Sequence, residues 1–207
     1  MGKIAIIDYK AGNAPSVLSA VMRLGHDSFL AKKASELECA SHIILPGVGT
    51  AAATMESLEE MGFVEALERL VLRDGRFFLG VCVGLQILFE NSEEGSSLQD
   101  GMQKCLGWLG GDVKRFDDTK VKVPQIGWNE VRFVKKTAIT SAPPSDYFYF
   151  VNSYRAVPSD KSVTWAEADY DGGFCAAVNK DNIYAAQFHL EKSGESGLRL
   201  LDGFINL

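Results

Sequence analysis

Cys82 stands in the stretch GVCVGLQ, at the end of an apolar run and between Gly80 and Gly84. A cysteine that only fills core space needs no flanking glycines and usually sits within an apolar run, not at its end. The spacing Gly-x-Cys-x-Gly at a strand-to-helix corner matches a nucleophile elbow. Its turn is too tight for flanking side chains, and the nucleophile projects above the sheet edge. A helix starting behind the thiol would favour thiolate over thiol through its partial positive charge and unpaired amides. The Val83 amide would then face an oxyanion formed on a carbonyl attacked by Cys82. By itself the motif reads equally well as a buried cysteine in a plain glycine-rich turn.

A thiol nucleophile needs a base, and the chain offers three histidines, His26, His42 and His189. His26, in RLGHDS, reads as an exposed side chain in a turn after a helix. His42 opens an apolar strand on its N-terminal side, the wrong edge of a parallel sheet for a site built where strands end. His189 follows IYAAQF and precedes Leu190 and Glu191. In extended chain, residues two apart share a side, so Glu191 can lie beside His189 and fix its tautomer. A lone His-x-Glu at a strand end is commonly a surface pair; joined to the elbow it becomes a candidate base and its orienting carboxylate.

Other chemistries lack their motifs. A zinc deaminase also carries His-x-Glu but needs Pro-Cys-x-x-Cys downstream, and no cysteine follows His189. Neither GxxxxGK[ST] nor a helix-opening GxGxxG is present, so nucleotide binding has no support. No metal or other cofactor is expected. The four cysteines, Cys39, Cys82, Cys105 and Cys175, form no CxxC pair, which fits a reducing, cytoplasmic compartment.

The 207 residues, 46% of them hydrophobic, suit one domain over 1–207 with a sizeable core. A formal charge of -6 argues against a nucleic-acid or anionic-membrane surface, since both need clustered Lys and Arg. No apolar run approaches the about 18 residues of a membrane span, and the N-terminus lacks signal-peptide architecture.

These elements must position the thiol and the base. Residues 3–8 and 42–45 read as buried strands, the second stopped by Pro46 and Gly47, and FFLGV leads into Cys82. Helical apolar spacing marks 14–24 and 55–73, with helices also predicted over 84–90 and 194–205. Alternating strands and helices imply a parallel sheet flanked by helices. From Gly107 to Phe188, runs such as WNEVRFV, YFYFVNSY and FCAAVN between turn residues predict additional antiparallel strands on the same sheet.

With these motifs in place, the sequence resembles the class I glutamine amidotransferases. GVCVGLQ serves as the nucleophile motif and QFHLEKS as the histidine and glutamate motif. IDYKAGN (7–13), LPGVG (45–49), VPQIGWNE (123–130) and YFYFVNSY (147–154) narrow the likeness to glutaminase subunits of imidazole glycerol phosphate synthase. The resemblance implies that Cys82 attacks the side-chain amide of L-glutamine, that His189 carries the proton to departing ammonia, and that Glu191 orients His189. It places backbone amides of Val83 and of the Val48 and Gly49 loop at the oxyanion. Gln86, Glu94, Gly49 and the backbone around Ser153 are placed at the substrate.

The family passes its ammonia to a separate (β/α)8-barrel cyclase subunit, so a heterodimer is implied, with Pro124, Ile126 and Trp128 at the contact. Trp128 reads equally as a core residue. Leu190 stands where the family usually has proline, Gln125 and Ile126 replace His-Met, and Asn152 replaces histidine. The loss of a rigid φ at residue 190 predicts looser His189 to Glu191 geometry. Three other functions stay open: a paralogous glutaminase feeding a different synthase-like partner, such as a sugar amidotransferase; a catalytically silent regulatory subunit; and a cysteine hydrolase of the same sheet architecture acting on peptides or esters.

Overall fold

The computed structural model describes residues 2–10, 13–95, 101–140 and 145–207. Strand β1 (Lys3–Ile7) is buried after its first residue, and helix α1 (Ala14–Arg23) turns Val17 and Val21 inward. Strand β2 (Ser28–Ala31) is not announced by the apolar pattern, because only Ala31 of its four residues is buried. Strand β3 (Ala40–Gly47) runs past the predicted stop at Leu45. Pro46 is tolerated there because β1 pairs no further than Ile44, so its missing N–H breaks no bond on that side.

The predicted helix over 55–73 is instead three segments: α2 (Ala51–Glu60), α3 (Phe63–Leu67) and a π-helical turn over Glu68–Arg73. Gly62, at φ +70°, breaks the first from the second in a conformation that costs glycine nothing. The apolar pattern hides the break, since Leu58 and Phe63 are buried on either side of it. After strand β4 (Phe77–Cys82), helix α4 (Val83–Gln86) is a single turn, shorter than the predicted 84–90.

Short strands β5 (Asn91–Ser92), β6 (Gln103–Lys104) and β7 (Gly111–Arg115) follow, then β8 (Gln125–Phe133), β9 (Ser145–Asn152) and β10 (Tyr154–Pro158). Strands β11 (Thr164–Asp169), β12 (Gly173–Lys180) and β13 (Ile183–Ala186) lead to helix α5 (Gly194–Ile205), the predicted closing helix.

Among the described residues the strands join in the order β2-β1-β3-β4-β13-β12-β10-β7-β5-β6, and β11 links β12 to the β8–β9 hairpin. The block β2 to β13 is parallel throughout, while β12, β10, β7 and the β8, β9 and β11 group add antiparallel pairs. This is the expected α/β sheet with its antiparallel addition. The antiparallel step from β12 to β13 lays the chain parallel beside β4, with Ala186 opposite Val81. His189 is thereby delivered to the edge where Cys82 ends its strand.

One core spans both parts, from Ile6, Ile44 and Phe78 to Phe148, Trp165 and Phe188. Full burial of such a side chain contributes about 1.5–3 kcal/mol. Among the described residues no helix is long and apolar enough to cross a membrane.

Candidate active site

Cys82 pairs with Gly47 at the last rung between β3 and β4. Its backbone stands at φ 57°, ψ -108°, a sparsely populated conformation that a non-glycine residue keeps only where its surroundings enforce it. The glycines around it are needed for close approach. A Cβ on Gly84 would lie 2.2 Å from the Leu45 carbonyl oxygen, and one on Gly80 would lie 2.3 Å from that of Gly84. Helix α4 is one turn, so any help it gives a thiolate comes from local N–H groups, not from a long dipole. The Sγ lies 3.8 Å from the Val151 carbonyl oxygen and receives an N–H from Gln187 at 3.6 Å.

His189 is buried beyond the end of β13, and its Nδ1 lies 2.8 Å from Glu191 Oε1. The pair is not formed in extended chain. Leu190–Lys192 is a 3-10 turn with His189 at its N-cap, and the turn brings the carboxylate back under the ring. Nor is the geometry loose without proline. The His189 carbonyl accepts from Lys192 N and Ser193 Oγ, its N–H donates to the Tyr149 carbonyl at 2.9 Å, and Leu190 is buried. Packing and hydrogen bonds supply the restraint that a fixed φ would give. Burial pulls the His189 pKa down, but the hydrogen bonds and charges of Cys82 and Glu191 outweigh it and push it up to about 10. The ring is thus an imidazolium at neutral pH, the partner a thiolate requires.

A cavity of about 290 Å³ opens over Cys82 and His189. Val48, Gly49, Val83, Gln86, Glu94, Pro124 and Ser153 all line it, so the structure brings together nearly every residue singled out from the sequence. Glu191 lies beneath its floor, with a side chain only 1% exposed. Glu94 Oε2 accepts the Ala51 amide at 3.1 Å. Burial pushes the Glu94 carboxyl up to about 7 against that hydrogen bond. Gln86 is buried, and its Oε1 has no partner among the described residues. Gly12 and Ala11 of the IDYKAGN motif, and Ser96 and Ser97 beyond Glu94, lie outside the described residues.

Ile126 and Trp128 are exposed, at 63% and 56%, which removes the core reading of Trp128. They share the outer face of the β8–β9 hairpin with Val151 and Tyr147. Gln125 and Asn152, both departures from the family pattern, are buried opposite one another in the same hairpin. His26 is not the exposed residue expected: its side chain is 10% exposed and its Nε2 meets Asp202 at 3.1 Å, because α5 packs over the turn.

Two polar residues join the site without having been singled out. Gln187, fully buried, donates to Cys82 Sγ and accepts from Gln86 Nε2 at 3.0 Å. Asn13 donates through Nδ2 to Glu191 Oε1. Both lie inside quoted motifs, QFHLEKS and IDYKAGN. There an amide side chain carries no signal of its own beside a histidine or a helix start.

A profile of the family described as "Glutamine amidotransferase class-I" matches residues 5–206. The imidazole glycerol phosphate synthase subunit HisH of Dehalococcoides mccartyi (strain CBDB1) is 43% identical over 205 residues, which cover 99% of this chain and 97% of that protein. The subunit HisH 1 of Campylobacter jejuni (strain RM1221) is 42% identical over 207 residues, covering 99% and 100%. Two solved structures share the fold at low identity. PurLQS from Thermotoga maritima has a TM-score of 0.76 at 16% identity, covering 100% of this chain and 99% of that one. A crystal structure of a glutamine amidotransferase has a TM-score of 0.75 at 19% identity, covering 98% and 97%.

Proposed function

This chain belongs to the class-I glutamine amidotransferases, and from that premise we propose that it is the glutaminase subunit of an imidazole glycerol phosphate synthase in histidine biosynthesis. Cys82 attacks the side-chain amide carbon of L-glutamine. The tetrahedral oxyanion meets the Val83 amide and an amide of the Val48 and Gly49 loop, each such donor being worth about a hundred- to a thousandfold in rate. His189, protonated and held by Glu191, gives its proton to the departing ammonia and leaves a thioester on Cys82. It then takes a proton from the water that hydrolyses the thioester, releasing glutamate. Glu94 faces the substrate's ammonium group.

The observation that carries this reading is the strained Cys82 corner sharing one cavity with a histidine that Cys82 itself and the buried Glu191 carboxylate keep protonated. Ammonia released to water is protonated and no longer nucleophilic, so the reaction serves synthesis only beside a second site. We place that site in a (β/α)8-barrel cyclase subunit docked as a heterodimer on the outer face of the β8–β9 hairpin. Ile126, Trp128, Tyr147 and Val151 expose apolar surface there, and Val151 also lines the cavity. A few residues carry most of the energy of a protein interface, and Trp and Tyr are enriched among them. The pair is assigned to the cytoplasm.

Cys82→Ala should abolish glutamine hydrolysis while leaving association with the cyclase intact, as judged by ammonia release and co-elution. A glutamine-like diazoketone should add to Cys82 in the wild type. Retained hydrolysis in the variant, or labelling elsewhere, overturns the nucleophile assignment. Supplying the cyclase subunit and the histidine-pathway ribonucleotide should yield imidazole glycerol phosphate from glutamine. Failure of this step with hydrolysis intact would reject the assigned partner.

A further inference from the structure

Asn13 stands at the N-cap of α1, a position where asparagine ordinarily spends its side-chain oxygen on the helix's own first amides. Here it makes no such bond. The second helical residue is Pro15, which has no N–H, and the amides of Ser16 and Val17 both donate to the Asn13 backbone carbonyl, at 3.1 and 3.2 Å. The side chain is therefore released from capping. It is 178 positions away from Glu191 in sequence, yet its Nδ2 donates to Glu191 Oε1, the same oxygen that receives His189 Nδ1.

Asn13 is 7% exposed and the Glu191 side chain 1% exposed, so water does not readily substitute for this donor. Glu191 Oε2 is also buried and has no partner among the described residues. A carboxylate buried in this way keeps its orientation only through the donors it has. Asn13 and His189 are its two side-chain partners among the described residues, and of these only Asn13 takes no part in proton transfer.

We propose that Asn13 is a positioning residue of the glutaminase site, holding Glu191 Oε1 at the His189 Nδ1 so that the imidazole meets Cys82 in one orientation. The proposal rests on the glutaminase reading above. It also gives α1 a part in the chemistry: the helix start is fixed to the triad carboxylate, and any shift of the N-terminal segment is transmitted to the base.

Asn13→Asp separates this role from plain helix capping. Aspartate caps as well as asparagine does, but it has no N–H to donate and sets a second carboxylate against Glu191. Glutamine hydrolysis is measured in the presence of the cyclase subunit, with kcat and KM resolved. A displacement of the base should lower kcat roughly ten- to a hundredfold with KM for glutamine unchanged, at a temperature where the variant is folded.

Asn13→Ser, another good cap without a reaching donor, should also lose kcat. In a Glu191→Gln background Asn13→Asp should cost nothing further, since the aspartate then accepts from the new amide. Asn13→Asp at wild-type kcat, or equal losses in both backgrounds, overturns the proposal. If Asn13→Asp unfolds the protein, the Asn13→Ser variant and its double-mutant cycle with Glu191→Gln decide by the same criteria. Activity surviving Cys82→Ala would instead mark failure of the glutaminase reading itself.

Discussion

His189 and His42 are both buried, at 2% and 8% exposure, at opposite ends of the same parallel block. His42 pairs across to Ile4 and Phe77, near where β1 and β4 begin, while His189 lies beyond the end of β13. Burial lowers the pKa of His42, and the nearby His26 lowers it further. Its ring stacks on Phe77 at 5.1 Å and meets Phe204 edge-on at 5.3 Å, and its Nε2 has no partner among the described residues. Burial acts on His189 in the same direction, yet Cys82 and Glu191 reverse the outcome. The difference is that one ring faces Cys82 and an anchored carboxylate, while the other has aromatic neighbours and a Ser41 hydroxyl 2.8 Å from its Nδ1. Burial without a charged partner shifts a histidine toward its neutral form.

The sharpest way to break this contrast is to remove the carboxylate charge. Glu191→Gln should lower kcat for glutamine hydrolysis by roughly 10³- to 10⁴-fold, the scale seen when a triad loses its orienting anion. His42→Phe, which removes the other buried imidazole, should leave kcat unchanged. Steady-state ammonia release at saturating glutamine checks both. Comparable losses from the two substitutions would mean that burial, and not the carboxylate, is what matters.

A smaller effect comes from the cavity's own acid. With its carboxyl pushed up to about 7 by burial, Glu94 is mostly ionised at pH 8 and mostly protonated at pH 6. Only the ionised form attracts an ammonium group. KM for glutamine should therefore rise roughly tenfold as the pH falls from 8 to 6, following the ionised fraction. Because His189 stays protonated over this range, kcat should not follow the same curve. Glu94→Gln should have a high KM with little slope; a variant that keeps the wild-type slope would assign the titration elsewhere.

The reactive centre was legible in the sequence because its chemistry depends on residue type and local spacing. Gly80 and Gly84 announce a close approach that the structure confirms, and Glu191 sits two residues from His189 whether the chain is extended or turned. The long pairing of β13 with β4 could be inferred only as a requirement of the chemistry. What stayed hidden depends on tertiary partners. Asn13 looks like a helix cap until its Nδ2 is seen on Glu191. The turn at Gly62 is masked by buried residues on both sides of it, and His26 is covered only because α5 returns to pack against it. Residues 125 and 152, far apart in the chain, prove to be opposite one another in a single hairpin. Departures that look independent in sequence are thus one local change.

The smallest effect sharpens the comparison from the inert end. The folded state holds His42 below its ordinary value of about 6.5, by burial and by the charge of His26. The unfolded chain therefore binds a proton first as the pH falls. Stability is rising with pH wherever the unfolded state carries more protons, so the contribution from His42 is complete above about 6.5 and is lost below it. Asp202 is bonded to His26 at 3.1 Å and not to His42, Glu38 and Asp74 line the cleft beside His42, and the His42 Nδ1 is paired with the Ser41 hydroxyl at 2.8 Å. His42→Phe keeps an aromatic ring between Phe77 and Phe204 while removing the titration. Urea midpoints for wild type and variant should agree near neutrality and separate between about pH 6.5 and 5, the wild type falling further. Parallel curves would show that His42 does not lose its proton on folding, and the contrast with His189 would then lie in orientation alone.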